Sequence, residues 1–221
     1  MRRWTISCNY FLQLFLLNTF TLPSQWKAAK IKPIPKVPHP QTCADYRPIS
    51  ITPVLSRVLE RIVVSTFLYP SLYLPAYPLD FTDQYAFRPT GSTTFALINL
   101  LNTVTNMLVS NKFVRIIAVD FSKAFDTVRH STLAEKLAKL QIPDTIYNWL
   151  LGFLQNRVHC TDFDGEKSQL ESITASIIQG SAVGPFAYDV VASDLHPIVP
   201  GNCINKFADD TYVMSLKLTQ P

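Results

Sequence analysis

Cysteine is scarce in this 221-residue sequence, and its four copies, Cys8, Cys43, Cys160 and Cys203, are scattered. They form no Cys-x-x-Cys pair and have no histidines at zinc-ligand spacing, which excludes a structural zinc module of the usual kinds. Nothing in their placement resembles a disulfide framework, so they read as reduced thiols in an intracellular, reducing compartment. Internal repeats and low-complexity tracts are also lacking, which excludes a repeat architecture. No apolar run is comfortably long enough to span a membrane. The nearest candidate, Cys8 to Leu22, follows Met1, Arg2 and Arg3 as a secretion signal would, yet no small-residue cleavage site precedes Pro23. Asn9, Gln13, Asn18 and Thr19 interrupt it, while Phe11, Leu12, Phe15, Leu16 and Phe20 recur at helical spacing. The stretch therefore reads as a packed amphipathic helix, and the chain is expected to be neither secreted nor membrane-bound, in the cytoplasm or nucleus.

What is present is enough apolar content for a real core. Hydrophobic residues make up 48% of the chain, which excludes a disordered tail and fits one globular domain. Twenty Lys and Arg against 16 Asp and Glu leave a net charge of +4, which suits a polyanionic partner without requiring one. The 16 prolines concentrate between Pro23 and Pro89, so the first half is rich in loops. Within it the pattern predicts a strand around Trp26 to Ile34 and a helix from about Pro53 to Phe67, capped by Thr52 and packing Val54, Val58, Leu59 and Ile62. Thr93 to Leu108 reads as a helix with Ala96, Leu97, Leu100, Leu101, Val104 and Leu108 on one face. Phe113 to Phe121 is short and β-branched, as a buried strand ending on Asp120 would be. Helices over Ser131 to Leu140 and Pro143 to Gln155 follow, the second opened by a proline in its first turn. Asp164 and Gly165 mark a hairpin between Val158 to Phe163 and Leu170 to Ile178. After a helix over Pro185 to Leu195, two strands, Cys203 to Phe207 and Thr211 to Leu216, are joined through Ala208, Asp209 and Asp210. Helices alternating with a small, partly antiparallel sheet make an α+β fold.

The chemistry rests on carboxylates at strand ends. Asp120 closes one strand, and Asp209 with Asp210 occupies the tip of a hairpin, so the three can converge. Oxygen ligands of this kind suit Mg²⁺, which takes one or two carboxylates and completes its shell with waters and substrate phosphates. Two such ions about 4 Å apart can serve an in-line phosphoryl displacement. An Asp pair in a tight turn also caps its own backbone, so the pair gains meaning only from its surroundings.

Those surroundings carry a resemblance. Trp26-Lys-Ala-Ala-Lys-Ile-Lys-Pro-Ile-Pro-Lys36, Asp45-Tyr-Arg-Pro-Ile-Ser50, Gln84-Tyr-Ala-Phe-Arg-Pro-Thr-Gly-Ser-Thr93, Asp120-Phe-Ser-Lys-Ala-Phe-Asp126, Gln179-Gly-Ser181 with Gly184-Pro185, and Phe207-Ala-Asp-Asp210 resemble, in order, the blocks of non-LTR retrotransposon reverse transcriptases. The resemblance implies a right-hand polymerase, with fingers over residues 1–112 and palm over 113–221, in which a small antiparallel palm sheet packs on helices. It places the Cys8 to Leu22 helix in the fingers. No residues remain for a thumb or an endonuclease, which leaves two readings: a polymerase domain, or a catalytically silent remnant that at most binds nucleic acid.

By the same resemblance, Asp120 and Asp209 would ligate two Mg²⁺ ions, with Mn²⁺ a possible substitute, while Asp210 assists and the backbone carbonyl of Phe121 completes one shell. Phe125 would form the wall beneath the incoming sugar, or else be plain core packing. Gln179 and Gly180 would line the nucleotide pocket, glycine allowing close backbone approach. Lys36 and Arg47 would hold the triphosphate, and Lys32 and Arg88 would track template phosphates. Lys123 and Asp126 fit the pattern but fix the turn after the strand. The implied partners are an RNA template, a DNA primer and a deoxynucleoside triphosphate (dNTP), with no stable protein partner evident.

Overall fold

The computed structural model describes residues 22–121, 123–173 and 175–216. In chain order its main elements are β1 (Ala28–Pro35), β2 (Tyr46–Ile51), α1 (Val54–Val63), α2 (Thr93–Ser110), β3 (Arg115–Asp120), α3 (His130–Leu137), α4 (Asp144–Leu154), β4 (Arg157–Phe163), β5 (Glu166–Lys167), β6 (Glu171–Ile173), α5 (Val183–Ala192), β7 (Cys203–Phe207) and β8 (Asp210–Ser215). The helix expected over Cys8 to Leu22 lies outside the described residues except for Leu22, which is buried.

Two sheets result. In the first, β1 pairs antiparallel with β2 and parallel with β4, and β4 pairs antiparallel with β5 and β6. Residues 157–173 therefore return from the second half of the chain to complete the sheet begun by β1 and β2. The hairpin turn is where composition places it: Asp164 and Gly165 both adopt positive φ, 48° and 86°, which L side chains other than Asn and Asp seldom accept. The turn leads into the short β5, and of the strand expected over Leu170 to Ile178 β6 covers Glu171–Ile173. The second sheet has the order β3-β8-β7 and is wholly antiparallel.

The core lies among α1, α3, α4 and α5. Ile146, Trp149, Leu150 and Phe153 recur at helical spacing along α4 and are at most 2% exposed. They join Leu59, Val63, Leu133, Leu137, Phe186 and Val190 in one cluster. Pro143 stands at the N-cap of α4, one residue before the first turn expected of it.

Several expectations about burial are corrected. Val54 and Val58 face solvent at 65% and 42% exposure, while Leu59 is buried and Ile62 packs against the core as expected; Ser56, Glu60 and Val63 are also buried. The apolar pattern there marks a helix but not which side the core takes. Thr52 makes no cap bond; Pro53 is the N-cap of α1. In α2 only Ala96 is buried, while Leu97, Leu101 and Leu108 of the expected face are exposed. Ser92 does cap it, accepting from the Phe95 amide at 3.1 Å. Strand β3 is not buried either: it is an edge strand of its sheet, with Ile116 and Ile117 about half exposed. β-Branched composition thus reported a strand without reporting its depth.

Buried polar groups tie the elements together. Glu60 accepts from the Ser56 hydroxyl at 2.8 Å and from the Ala182 amide at 2.9 Å, so its carboxylate satisfies the start of α5. At the other end of α5, Lys136 donates to the Val191 carbonyl, and Lys206 donates to Ala192 and Leu195 at 2.9 and 3.3 Å. Lys206 is 1% exposed and forms an ion pair with Asp83 at 2.8 Å. Asp189, in α5, is 2% exposed, and among the described residues neither of its carboxyl oxygens has a hydrogen-bond partner. Burial pushes its pKa up to about 8, against the opposing pull of Arg88 and Lys206.

Strand β2 meets the loop before α5 at one tight junction. The Ser50 amide donates to the Gln179 carbonyl at 2.8 Å, and the next residue, Gly180, has φ +106°. A Cβ on Gly180 would lie 2.7 Å from the Ser50 carbonyl oxygen, so only glycine fits between loop and strand.

Two outcomes follow. Gly180→Ala should destabilise the chain by about 1–3 kcal/mol in urea unfolding, from the strained φ and the backbone clash together; unchanged stability would mean that the junction is loose. For Asp189, the folded form keeps a proton that the unfolded chain releases near pH 4, so stability falls as pH rises from about 4 to about 8 and then levels off. Asp189→Asn should remove that slope and gain on the order of a few kcal/mol relative to the unmutated chain at pH 8, but little at pH 4. Parallel pH–stability curves for the two proteins would show that Asp189 titrates normally.

Candidate active site

The site is assembled by strand pairing. In the ladder between β3 and β8, Asp120 stands directly opposite Asp210, and Val119 opposite Thr211. Directly paired residues project to the same face with Cβ atoms roughly 4.5–5.5 Å apart, so these two carboxylates share one end of the sheet. Strand β7 pairs Phe207 with Asp210, leaving Ala208 and Asp209 as the two-residue turn. Asp209 thus sits beside the pair, one residue before the ladder begins. Ala208 takes φ +57°, the conformation that a hairpin with a left-handed first turn residue requires. Among the described residues no three His, Cys, Asp or Glu side chains form a ready metal cluster. The donor set is two facing carboxylates with a third in the adjoining turn, which fits a hard cation that takes its remaining ligands from waters and substrate phosphates.

Asp120 and Phe121 line a cleft of about 610 Å³ together with Ala124, Arg129, Tyr188 and Leu195. Tyr188 comes from α5, and its hydroxyl pKa is pushed up to about 12 by burial first and then by the charges of Asp209, Asp189 and Asp210. The tyrosine therefore stays a neutral donor beside the acidic turn. Its ring stacks on Phe125 with centroids 4.6 Å apart, and Phe87 meets Phe125 edge-on at 6.2 Å. Phe125 in turn lines a second cleft, about 310 Å³, with Gln179, Gly180, Ser181 and Pro185. Both readings of Phe125 have an observation behind them: the ring packs against the core cluster and also faces a cleft.

The loop after β3 fixes this wall. Lys123 adopts φ +55°, and its carbonyl accepts from the Asp126 amide at 2.9 Å, which closes the turn expected at these residues. The Asp126 carboxylate accepts from the Gln179 side-chain amide at 3.0 Å, linking the β3 loop to the loop before α5.

The basic residues are distributed differently. Lys36 directly follows β1, where its ammonium donates to the Ala44 carbonyl at 3.0 Å. Arg47 is exposed in β2, opposite Ile34. Lys32 is paired with Asp162 across the sheet at 2.8 Å while keeping 44% of its side chain exposed. Arg88, expected at the template, is turned inward: it donates to the carbonyls of Phe81 and Gln84 at 2.6 and 3.2 Å and lies over the Tyr73 ring.

Tyr188, Asp189 and the Asp83–Lys206 pair were not singled out by sequence reasoning. Tyr188 and Asp189 sit inside an apolar helical pattern that gives no sign of which residues reach a site 20 positions later in the chain. Gln84 belongs to one of the quoted blocks, but its burial at 2% shows only in the fold.

Comparison with known proteins agrees with this geometry. The family described as reverse transcriptase (RNA-dependent DNA polymerase) matches residues 34–220. The RNA-directed DNA polymerase from mobile element jockey of Drosophila melanogaster is 31% identical over 208 residues, covering 90% of this chain and 22% of that protein. A Pol polyprotein of the type-1 retrotransposable element R2 from Popillia japonica is 29% identical, covering 84% of this chain and 25% of its own length. The chain thus spans about a fifth to a quarter of the curated relatives it matches. Among solved structures, telomerase from Candida tropicalis with a fragment of telomeric RNA aligns over 98% of this chain and 40% of that one, with TM-score 0.64 at 12% identity, a likeness of fold. The α+β fold is therefore that of a right-hand polymerase, and the chain belongs to the reverse transcriptase family, in its non-LTR retrotransposon branch.

Proposed function

We propose that this chain supplies the fingers, residues 1–112, and the palm, residues 113–221, of an RNA-directed DNA polymerase that adds deoxynucleotides to a DNA primer on an RNA template. The observation that carries the reading is the ladder setting Asp120 opposite Asp210, with Asp209 in the adjoining turn. Asp120 and Asp209 are assigned as ligands of two Mg²⁺ ions, with Asp210 assisting, the Phe121 carbonyl completing one shell, and Mn²⁺ able to substitute. When bound, such ions supply activation of the primer 3′ hydroxyl and stabilisation of the departing pyrophosphate.

The chain's own residues do the positioning. Phe125, braced by Tyr188, forms a wall whose bulk excludes a 2′ hydroxyl. Gln179 and Gly180 line the cleft next to it and receive the nascent base pair. Lys36 and Arg47 hold the triphosphate from the hairpin above. Lys32 is the better placed template contact, because a half-exposed ion pair is readily exchanged for a phosphate. Arg88, whose guanidinium is occupied by Phe81, Gln84 and Tyr73, supports the fold behind the site instead. No helix of the described residues is long and apolar enough to cross a membrane, and the proposed setting is intracellular.

Mn²⁺ binding in the presence of a dNTP, followed by electron paramagnetic resonance, tests the metal assignment directly. Asp120→Asn and Asp209→Asn should each weaken binding by about tenfold or more, and template-directed extension with Mg²⁺ should fall at least about a hundredfold. Equal binding and equal incorporation by Asp209→Asn would refute the assignment. No incorporation by the unmutated chain, despite normal Mn²⁺ binding, would favour the catalytically silent remnant.

A further inference from the structure

The turn that carries Asp209 has a weakness written into its backbone. Phe207 pairs with Asp210, so Ala208 is the first residue of a two-residue turn, and its φ of +57° is one that glycine adopts freely and alanine does not. A non-glycine residue held there costs on the order of 1 kcal/mol and persists only where the surroundings impose it. A turn of this kind, only half-buried and built on alanine, would be expected to fray unless something outside the hairpin held it.

That something is Gln84. Its side chain is 2% exposed, and its Oε1 accepts from the Ala208 amide at 3.0 Å while its Nε2 donates to the Ala208 carbonyl at 3.4 Å. The amide thus grips the peptide groups on both sides of Ala208. Oε1 also accepts from the Ala86 amide at 3.0 Å, so two N–H donors converge on that one atom and fix which end of the amide is oxygen. The backbone around Gln84 is itself anchored to β7. The Lys206 amide donates to the Asp83 carbonyl at 2.8 Å, the Tyr85 amide donates to the Lys206 carbonyl at 2.8 Å, and the Lys206 ammonium pairs with Asp83 at 2.8 Å. The clamp is therefore fixed to the same strand that leads into the turn.

We propose that Gln84 is a positioning residue: by holding Ala208 in its left-handed conformation it sets the direction in which Asp209 leaves the turn, and so the geometry of the cation site. This rests on the assignment of Asp209 as a metal ligand. Gln84 touches neither cation nor substrate and acts only through the Ala208 peptide groups.

The test compares the unmutated chain with Gln84→Met, which keeps the side-chain length but loses all three hydrogen bonds, and Gln84→Glu, which keeps the accepting oxygen. Amide hydrogen exchange at residue 208 reads the clamp, and Mn²⁺ affinity with a dNTP reads the site. Gln84→Met should speed exchange of the Ala208 amide by about tenfold or more and weaken Mn²⁺ binding by a similar factor, while the Val213 and Met214 amides of β8 keep their protection. Gln84→Glu should recover most of both. Unchanged Mn²⁺ affinity in Gln84→Met overturns the proposal alone. So does loss of protection spread over the whole sheet, because that would mark a merely structural residue. If the unmutated chain binds no Mn²⁺, the metal assignment fails and the proposal falls with it, even if Ala208 exchange still responds to Gln84→Met.

Discussion

The antiparallel ladder between β3 and β8 joins segments far apart in the chain and sets Asp120 across from Asp210 at one end of a three-stranded sheet. Everything proposed for the site depends on that register. Side chains alternate faces along a strand, so a slip of one residue would put Val119 or Phe121 where Asp120 stands and turn its carboxylate to the other face. Two negative charges held so close repel each other, and the fold tolerates them by placing them at an open sheet end beside a cleft. Such a site gains most when a cation enters it. Stability and function are here in the ordinary opposition of a carboxylate site.

Behind the turn, the structure uses buried polar groups where apolar packing would have been simpler. Lys206 satisfies the last carbonyls of α5 and pairs with Asp83, and Gln84 bridges from the same segment to Ala208. A buried ion pair of this sort adds little net stability over an apolar replacement, but it admits only one geometry. That trade suits a hairpin whose tip must hold a fixed direction. Asp189, buried without a hydrogen-bond partner among the described residues, shows the same region carrying a polar group that is easier to keep protonated than charged.

The junction between β2 and the loop before α5 is the other fixed point. Gly180 leaves no room for a side chain against the Ser50 carbonyl, and Gln179 ties to both Ser50 and Asp126. Through these contacts the β1–β2 hairpin, which carries Lys36 and Arg47, is held at a set position relative to Phe125 and the carboxylates. The placement of Lys36 and Arg47 relative to Asp120 and Asp210 therefore depends on one small joint.

The order of the blocks in the sequence was enough to identify the family, and local chemistry was enough for most elements. Asp164-Gly165 announced a hairpin, and apolar spacing announced the helices after Gly91 and around Pro143. Depth was not legible, because an apolar period marks a face without saying whether another element covers it. Thus Val54, Val58, Leu101 and Ile117 lie in solvent while Glu60, Gln84, Lys206 and Asp189 lie inside. The sequence by itself determined that Asp120 closes a strand and that Asp209 lies in a hairpin turn. Only the tertiary structure decided that Asp210 faces Asp120, that Tyr188 stands beside them, that Arg88 turns inward and that Gln84 holds the turn. Each of those is a contact between residues distant in the chain, set by strand register and helix packing, about which local residue preference carries no information.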